Sequence, residues 1–94
     1  MDDITHEPSG QRGAFVIRRD GRVLAQMTYS IGGAIAIIDH TAVDAELRGT
    51  GAGAKLVKAA VEWARAEKKE ILALCPFAKS VFDKTPGYAD VLKK

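Results

Sequence analysis

The first third of the chain carries apolar, β-prone runs bounded by polar residues, and this pattern predicts antiparallel β-structure. Residues 14–19 and 22–30 are two β-prone runs, and the dipeptide Asp20-Gly21 lies between them. Aspartate and glycine tolerate the positive φ angles of a type I′ turn, so the two runs are predicted to form a hairpin. Residues 1–12 are polar and are predicted to form a flexible tail that leads into the first strand.

The rest of the chain has the order of a strand, a glycine-rich loop, a helix and a second strand. Residues 34–43 begin with an apolar stretch, which favours a central strand covered on both faces. Residues 53–67 carry apolar side chains at helical spacing, and residues 71–75 form a short apolar run typical of a buried parallel strand. A right-handed βαβ crossover is the usual way to connect such strands, so they are predicted to be parallel neighbours. Residues 77–84 are predicted to form a short C-terminal helix.

The predicted fold class is therefore α/β: a mixed twisted sheet with an N-terminal antiparallel hairpin, one βαβ crossover and a short C-terminal helix. At 94 residues, the chain is predicted to form a single domain over residues 1–94. The 14 basic residues nearly balance the 12 acidic ones and are scattered along the chain, so nucleic acid is not an expected partner.

The cysteine content and the hydropathy of the chain bear on its expected cellular location. A single cysteine excludes an internal disulfide and suits a reducing compartment, so a cytoplasmic location is expected. No apolar run approaches the length of a membrane span, and the N-terminal residues lack the basic region of a signal peptide. Neither membrane association nor export is therefore expected.

The glycine-rich stretch from Arg48 to Gly53 is the strongest chemical signal in the sequence. Gly49, Gly51 and Gly53 alternate with small residues directly before the predicted helix. Backbone without Cβ atoms can turn several N–H groups toward one anion, and the N-terminus of the helix adds a favourable dipole. The Walker motif and the dinucleotide fingerprint are both excluded by spacing. The pattern thus predicts a phosphate cradle with an arginine at its rim.

This loop resembles the acyl-CoA pyrophosphate loop of the GNAT superfamily of N-acetyltransferases, usually Val-x-Pro-x-x-Arg-Gly-x-Gly-x-Gly. Residues 43–53 match that pattern except at Ala45, which stands in place of the proline. Residues 40–43 and 75–77, His-Thr-Ala-Val and Cys-Pro-Phe, further resemble a minimal single-domain branch of the superfamily. The resemblance implies an N-acetyltransferase that uses acetyl-CoA as co-substrate and an amine as acceptor.

The resemblance also implies which residues bind the co-substrate. The pantetheine arm is expected to lie along one strand, beside Thr41, Ala42 and Val43. The pyrophosphate is expected on the loop, at Arg48, Gly49, Thr50, Gly51, Ala52 and Gly53. His6, His40 and Cys75 lack the spacing of metal ligands, so no metal is predicted.

His40 and Cys75 are the predicted catalytic residues. A lysine-like acceptor with a pKa of about 10.4 is protonated at neutral pH, so a base such as His40 would help to neutralise it. Cys75 follows the second parallel strand, where the resemblance implies the thioester lies, and its thiol is predicted to act as nucleophile or positioning group. Two plainer interpretations stay open: His40 bonded to a backbone carbonyl, and Cys75 as an ordinary buried core residue.

Phe82 departs from the superfamily pattern. It aligns with a tyrosine that is often proposed to protonate the leaving thiolate, and it has no hydroxyl. Tyr88 and Trp63 are interpreted as core residues. The missing tyrosine motivates a second hypothesis, that the chain is a non-catalytic acyl-CoA-binding sensor or interaction module. The sequence specifies neither the amine acceptor nor the oligomeric state.

Overall fold

Five strands follow one another across a single sheet in the order of the chain. The computed structural model describes residues 3–93. The strands are β1 (Asp3–Ser9), β2 (Arg12–Arg19), β3 (Arg22–Gly32), β4 (Ile35–Val43) and β5 (Glu70–Ala73), and the helices are α1 (Ala52–Glu67) and α2 (Pro76–Lys84). Neighbouring strands from β1 to β4 are antiparallel, and β5 runs parallel to β4. The predicted mixed α/β class is thereby confirmed.

The hairpin of β2 and β3 forms where the turn chemistry predicted it. Arg19 pairs with Arg22 across a two-residue loop. Asp20 and Gly21 both have positive φ, 52° and 79°, as a type I′ turn requires. The two strands extend beyond the predicted runs at both outer ends because β1 and β4 pair with them there.

The prediction of a flexible tail over residues 1–12 is wrong for the described part of that segment. Residues 3–9 form β1, which pairs with β2 along its whole length, whereas residues 1 and 2 lie outside the described residues. Pro8 obscured the strand in the sequence, but proline is tolerated in an edge strand, where a ladder N–H is dispensable. His6 adds stabilisation, because its ring stacks on Phe15 of β2 with a centroid distance of 4.3 Å.

The βαβ crossover is present as predicted, with small shifts of its boundaries. α1 begins one residue earlier than expected, at Ala52, and β5 ends at Ala73 rather than at Cys75. β4 differs in burial from the prediction: Ala36 and Ile38 are buried, whereas the alternate positions Ile35 and Ile37 are half-buried. β4 is therefore fully covered on one face only.

The core lies between the sheet and the two helices. α1 contributes the predicted stripe of buried side chains at helical spacing, Leu56, Val57, Ala60 and Ala64, and Val61 is buried beside them. Ile71 of β5 is fully buried, and its N–H donates to the carbonyl of Val91, so the C-terminal segment covers the outer edge of β5. Within residues 3–93, no helix is long and apolar enough to cross a bilayer.

Candidate cofactor-binding and active site

The parallel strand β5 ends halfway along β4. Their pairing ends at Ile38 and Ala73, although β4 continues to Val43. The carbonyl of Ile38 accepts from both of the next two N–H groups, those of Leu74 (3.0 Å) and Cys75 (3.2 Å). The chain then turns into α2, which leaves one edge of β4 open beside the glycine-rich loop.

The loop after β4 is fixed at both ends by short-range hydrogen bonds. Asp44 Oδ1 accepts from the N–H of Glu46, and it starts a short 3-10 turn, Ala45–Leu47, that buries Leu47. Thr50 closes the loop, because its N–H (3.1 Å) and its hydroxyl (2.5 Å) both donate to the carbonyl of Leu47. The Thr50 hydroxyl is thus used to shape the loop.

Gly49 and Gly51 adopt backbone conformations that favour glycine. Their φ angles are +81° and +80°, in the left-handed region. A Cβ at either position would meet no atom within 4 Å. The two glycines are therefore required by backbone conformation, and a side chain at Gly51 would project into the open space of the cradle.

The N-terminus of α1 presents free N–H groups to this space. The first helical bond runs from the N–H of Lys55 to the carbonyl of Gly51 (3.0 Å). The N–H groups of Ala52, Gly53 and Ala54 consequently have no backbone acceptor within residues 3–93. The first turn contains no acidic residue. Such an end of a helix attracts anions through its N–H groups and its dipole.

A cavity of about 600 Å³ joins the open edge of β4 to this helix terminus. Its wall comprises Thr41 and Val43 of β4, the loop, the first turn of α1 and one face of α2. Arg48 and Lys84 are the charged residues of that wall, and neither makes an ion pair within the described part of the chain. The cavity is therefore positive and suits an anionic ligand.

Gly53 is constrained in a different way from the other two glycines of the motif. Its φ is not positive, but a Cβ there would overlap the ring of Phe77 at the start of α2. Phe77 is 41% exposed, and its ring forms part of the cavity wall. The third glycine thus lets α2 approach the N-terminus of α1 closely.

Cys75 lies where α2 begins, next to Thr41 of β4. Its Sγ donates to Thr41 Oγ1 across 3.3 Å, and the residue is 6% exposed. Burial alone raises the pKa of the Cys75 thiol, but its hydrogen bonds with the Thr41 side chain and with the backbone of Ala78, Phe77 and Thr41 outweigh this effect. The net effect lowers the pKa, which favours the reactive thiolate.

The structure brings Thr41, rather than His40, into contact with Cys75. No hydrogen bond joins the His40 ring to the thiol among the described residues, and His40 is exposed. Asp39 forms a bulge there, since Ile38 pairs with Tyr29 and His40 with Thr28. Thr41 and Val43 line the cavity, whereas Ala42 lines a separate shallow depression with residues of β3.

Three aromatic residues weighed in the sequence lie in the core or pack against it. Phe82 is buried and packs edge to face against Tyr88, with ring centroids 5.9 Å apart. Tyr88 is half-buried and is not part of the cavity wall. Trp63 packs against Phe15 and Tyr29 at the far end of α1. The core interpretation of Tyr88 and Trp63 is confirmed.

Sequence reasoning missed three features of the site: the Thr41 hydroxyl, Phe77 and Lys84. Phe77, Ser80, Val81 and Lys84 recur at helical spacing and line one face of α2. That spacing is visible in the sequence, but it does not indicate which wall the face forms. Within residues 3–93 no group of three potential metal ligands occurs.

An anion cradle at the first turn of a crossover helix, beside the open edge of β4, is the arrangement that the resemblance of the sequence implies. A family model described as GCN5-related N-acetyl-transferase matches residues 14–91. The chain belongs to this family and is an N-acetyltransferase by class. The family that the glycine-rich loop suggested is thus confirmed, and the match extends over most of the chain.

Solved structures agree with this assignment. A GCN5-like N-acetyltransferase candidate from Staphylococcus aureus, solved by NMR, is 37% identical, with a TM-score of 0.75 over 99% of this chain and 91% of its own. Ribosomal-protein-alanine N-acetyltransferase from Brucella melitensis biovar Abortus 2308 is 16% identical, with a TM-score of 0.65 over 92% and 66%. The enzyme AAC(6')-Iy, in complex with the bisubstrate analogue CoA-S-monomethyl-acetylneamine, is 12% identical, with a TM-score of 0.59 over 92% and 65%.

The last two structures share the fold with this chain. Their sequence identity is too low to indicate a shared substrate. The curated proteins include no significant match.

Proposed function

We propose that the protein transfers the acetyl group of acetyl-CoA to an amine, and that acetyl-CoA binds in the cavity between β4, α1 and α2. The observation that carries this proposal is the cradle: three free N–H groups at the start of α1, with Arg48 at the rim and no carboxylate in the wall. A pyrophosphate group is the part of CoA that such chemistry would bind. AAC(6')-Iy, which shares the fold, was solved with a CoA-containing bisubstrate analogue.

The remaining walls of the cavity suit the rest of the same molecule. Beyond Ile38, β4 offers an open strand edge over Thr41, Ala42 and Val43, and an extended pantetheine arm with its two amides can hydrogen-bond to it. Ala42 would contribute through its backbone alone, because its side chain faces away from the cavity. The arm would end near Thr41 and hence near the Cys75 thiol.

Acetyl-CoA supplies an activated thioester carbonyl, and the protein has two groups to act on it. In direct transfer, His40 removes a proton from the acceptor ammonium and passes it to solvent. The neutral amine nitrogen then bonds to the carbonyl carbon, and the C–S bond breaks. The nitrogen loses its second proton as the amide forms, and one proton is taken up by the departing CoA thiolate, so that one proton is released overall. His40 approaches from the exposed side of β4, and the thiol of Cys75 orients the acetyl group from the Thr41 side.

In the covalent route, the Cys75 thiolate attacks first. Its sulfur bonds to the carbonyl carbon, CoA leaves as the thiol after protonation, and the amine then displaces the cysteine sulfur to regenerate the protein. The lowered pKa of Cys75 favours this step, because the thiolate is the nucleophile. Both routes release one CoA for each acetylated amine.

Mass spectrometry and calorimetry test the proposal together. Acetyl-CoA alone should leave one acetyl group on Cys75 if transfer is covalent, and an unmodified protein if transfer is direct. Cys75→Ala should lower turnover by about 10²-fold or more under either role, while CoA affinity stays unchanged. Unchanged turnover would return Cys75 to a core role. Absence of measurable CoA binding would overturn the proposal.

An amine and peptide panel, read out as free CoA, tests transfer itself. Turnover with any small-molecule or protein amine supports the enzyme and identifies its acceptor. Tight acetyl-CoA binding without CoA release across the panel would instead support the non-catalytic acyl-CoA-binding module, an alternative motivated by the absence of a hydroxyl on Phe82.

A further inference from the structure

The cavity wall carries a second basic side chain, Lys84, in the last turn of α2. The free N–H groups at the start of α1, together with the guanidinium of Arg48, can already bind one diphosphate group. Lys84 forms no ion pair within residues 3–93, so its charge is not neutralised by the protein. A lysine near the C-terminus of a helix interacts favourably with the helix dipole. That interaction does not require the side chain to line the cavity.

The position of Lys84 along the cavity follows from the packing of α2. α2 begins beside Cys75, and the ring of Phe77 lies against Gly53 in the cradle. Lys84 is seven residues beyond Phe77 on the same helix face, which is about 10 Å along the axis at 1.5 Å per residue. It therefore lies past the cradle, on the side away from the thiol.

The order of these groups matches the order of the chemical groups in CoA. The thiol and Thr41 stand at the acyl end, the open edge of β4 follows, the cradle comes next, and Lys84 stands at the far end. CoA places its ribose 3′-phosphate beyond the pyrophosphate, at the end remote from the thioester. We propose that Lys84 binds the ribose 3′-phosphate and makes the site select CoA over dephospho-CoA, an inference that rests on the proposed function.

Calorimetry with CoA and dephospho-CoA tests this assignment on three full-length proteins: wild type, Lys84→Gln and Lys79→Gln. Lys79 is the matched control, because it is an exposed lysine on α2 outside the cavity wall, and its replacement removes the same unit of charge. Wild type should bind CoA about ten-fold more tightly than dephospho-CoA, the size expected of one partly exposed, charge-assisted contact. Lys84→Gln should bind both ligands equally, at the wild-type affinity for dephospho-CoA, and Lys79→Gln should behave as wild type.

The preference of the wild type should also shrink as salt is raised, since the contact is partly screened by solvent ions. Equal binding of the two ligands by wild type would overturn the role of Lys84 and leave CoA binding intact. If Lys84→Gln weakened the binding of CoA and dephospho-CoA equally, Lys84 would contact a part of the ligand that both molecules share. If Lys79→Gln lost the preference for CoA as fully as Lys84→Gln, the effect would come from the net charge of the protein and not from a specific contact. If wild type bound neither ligand, the proposed function itself would be overturned. Thermal melts of the three proteins verify that each is folded.

Discussion

The ring of Phe77 occupies the position that a Cβ of Gly53 would take. This contact holds the first turn of α2 against the first turn of α1, and it forms one wall of the cavity. The third glycine of the Arg48–Gly53 motif is therefore selected by packing between helices. Gly49 and Gly51, in contrast, are selected by their positive φ angles.

Gly53→Ala should destabilise the fold by about 1 kcal/mol, because one added methyl group overpacks the contact with Phe77 and the partly exposed ring can shift to relieve part of the overlap. Urea unfolding measures this cost. The double variant Gly53→Ala, Phe77→Ala should recover part of the cost of Gly53→Ala, relative to Phe77→Ala alone, since the ring is then gone. Strictly additive effects of the two substitutions would contradict the contact.

Gly51→Val should abolish CoA binding while the protein stays folded. The side chain would enter the cradle, and valine at a φ of +80° adds a backbone cost of about 1–2 kcal/mol. Gly33→Val is the matched control, because Gly33 also has a positive φ (+61°), meets no atom within 4 Å and lies outside the cavity wall. The control should lose similar stability and keep its CoA affinity. Equal CoA affinities for Gly51→Val and wild type in calorimetry would rule out the loop as the phosphate site.

Thr41→Val should raise the pKa of the Cys75 thiol. The hydroxyl of Thr41 is among the groups that lower this pKa, and valine keeps the shape of threonine without the hydroxyl. Thiolate absorbance in the ultraviolet, followed against pH, reports on Cys75 alone because the chain has one cysteine. The titration of Thr41→Val should move to higher pH, and Thr41→Ser should titrate as wild type. Identical titrations for all three proteins would show that the hydroxyl has no electrostatic role.

His40→Gln should slow acetyl transfer by about 10²-fold or more and leave CoA affinity unchanged, as expected for loss of a general base that does not touch the cofactor. Steady-state release of free CoA measures the rate, and calorimetry measures the CoA affinity. A variant with the wild-type rate would leave His40 as an exposed strand residue without a chemical role.

His6 should make stability depend on pH. Burial lowers the pKa of His6 below its ordinary value of 6.5, an effect partly offset by the carboxylate of Glu67. The unfolded chain then takes up a proton first as the pH falls, so the free energy of unfolding should decrease from about pH 6.5 downward and be unaffected above it. Urea unfolding of wild type and His6→Phe at several pH values measures the difference, which should grow as the pH falls. A constant difference between the two proteins would exclude His6 as the titrating group.

Local signals account for what the sequence predicted correctly. Asp20-Gly21 specifies its own turn, and the apolar spacing of α1 specifies its buried face. Each of these depends on neighbours a few residues apart.

The missed features depend on distant residues. β1 is stabilised by its ladder with β2 and by the stacking of His6 on Phe15, and its polar composition gives little sign of either. The contact between Thr41 and Cys75 joins positions that are 34 residues apart. His40 is next to Thr41 in the sequence, but the bulge at Asp39 and the direction of the strand decide which of the two meets the thiol.

The pairing between β4 and β5 ends before β4 does, so the last residues of β4 have no neighbouring strand on that side within the described part of the chain. An extended ligand arm beside residues 39–43 would occupy the place that a further length of β5 would otherwise fill. The sheet would then be completed by a small molecule, and the amides of β4 that face the gap would exchange with deuterium at a rate set by occupancy. Hydrogen exchange in this one stretch would therefore gauge the loaded fraction of the protein in a mixture, without any label on the ligand.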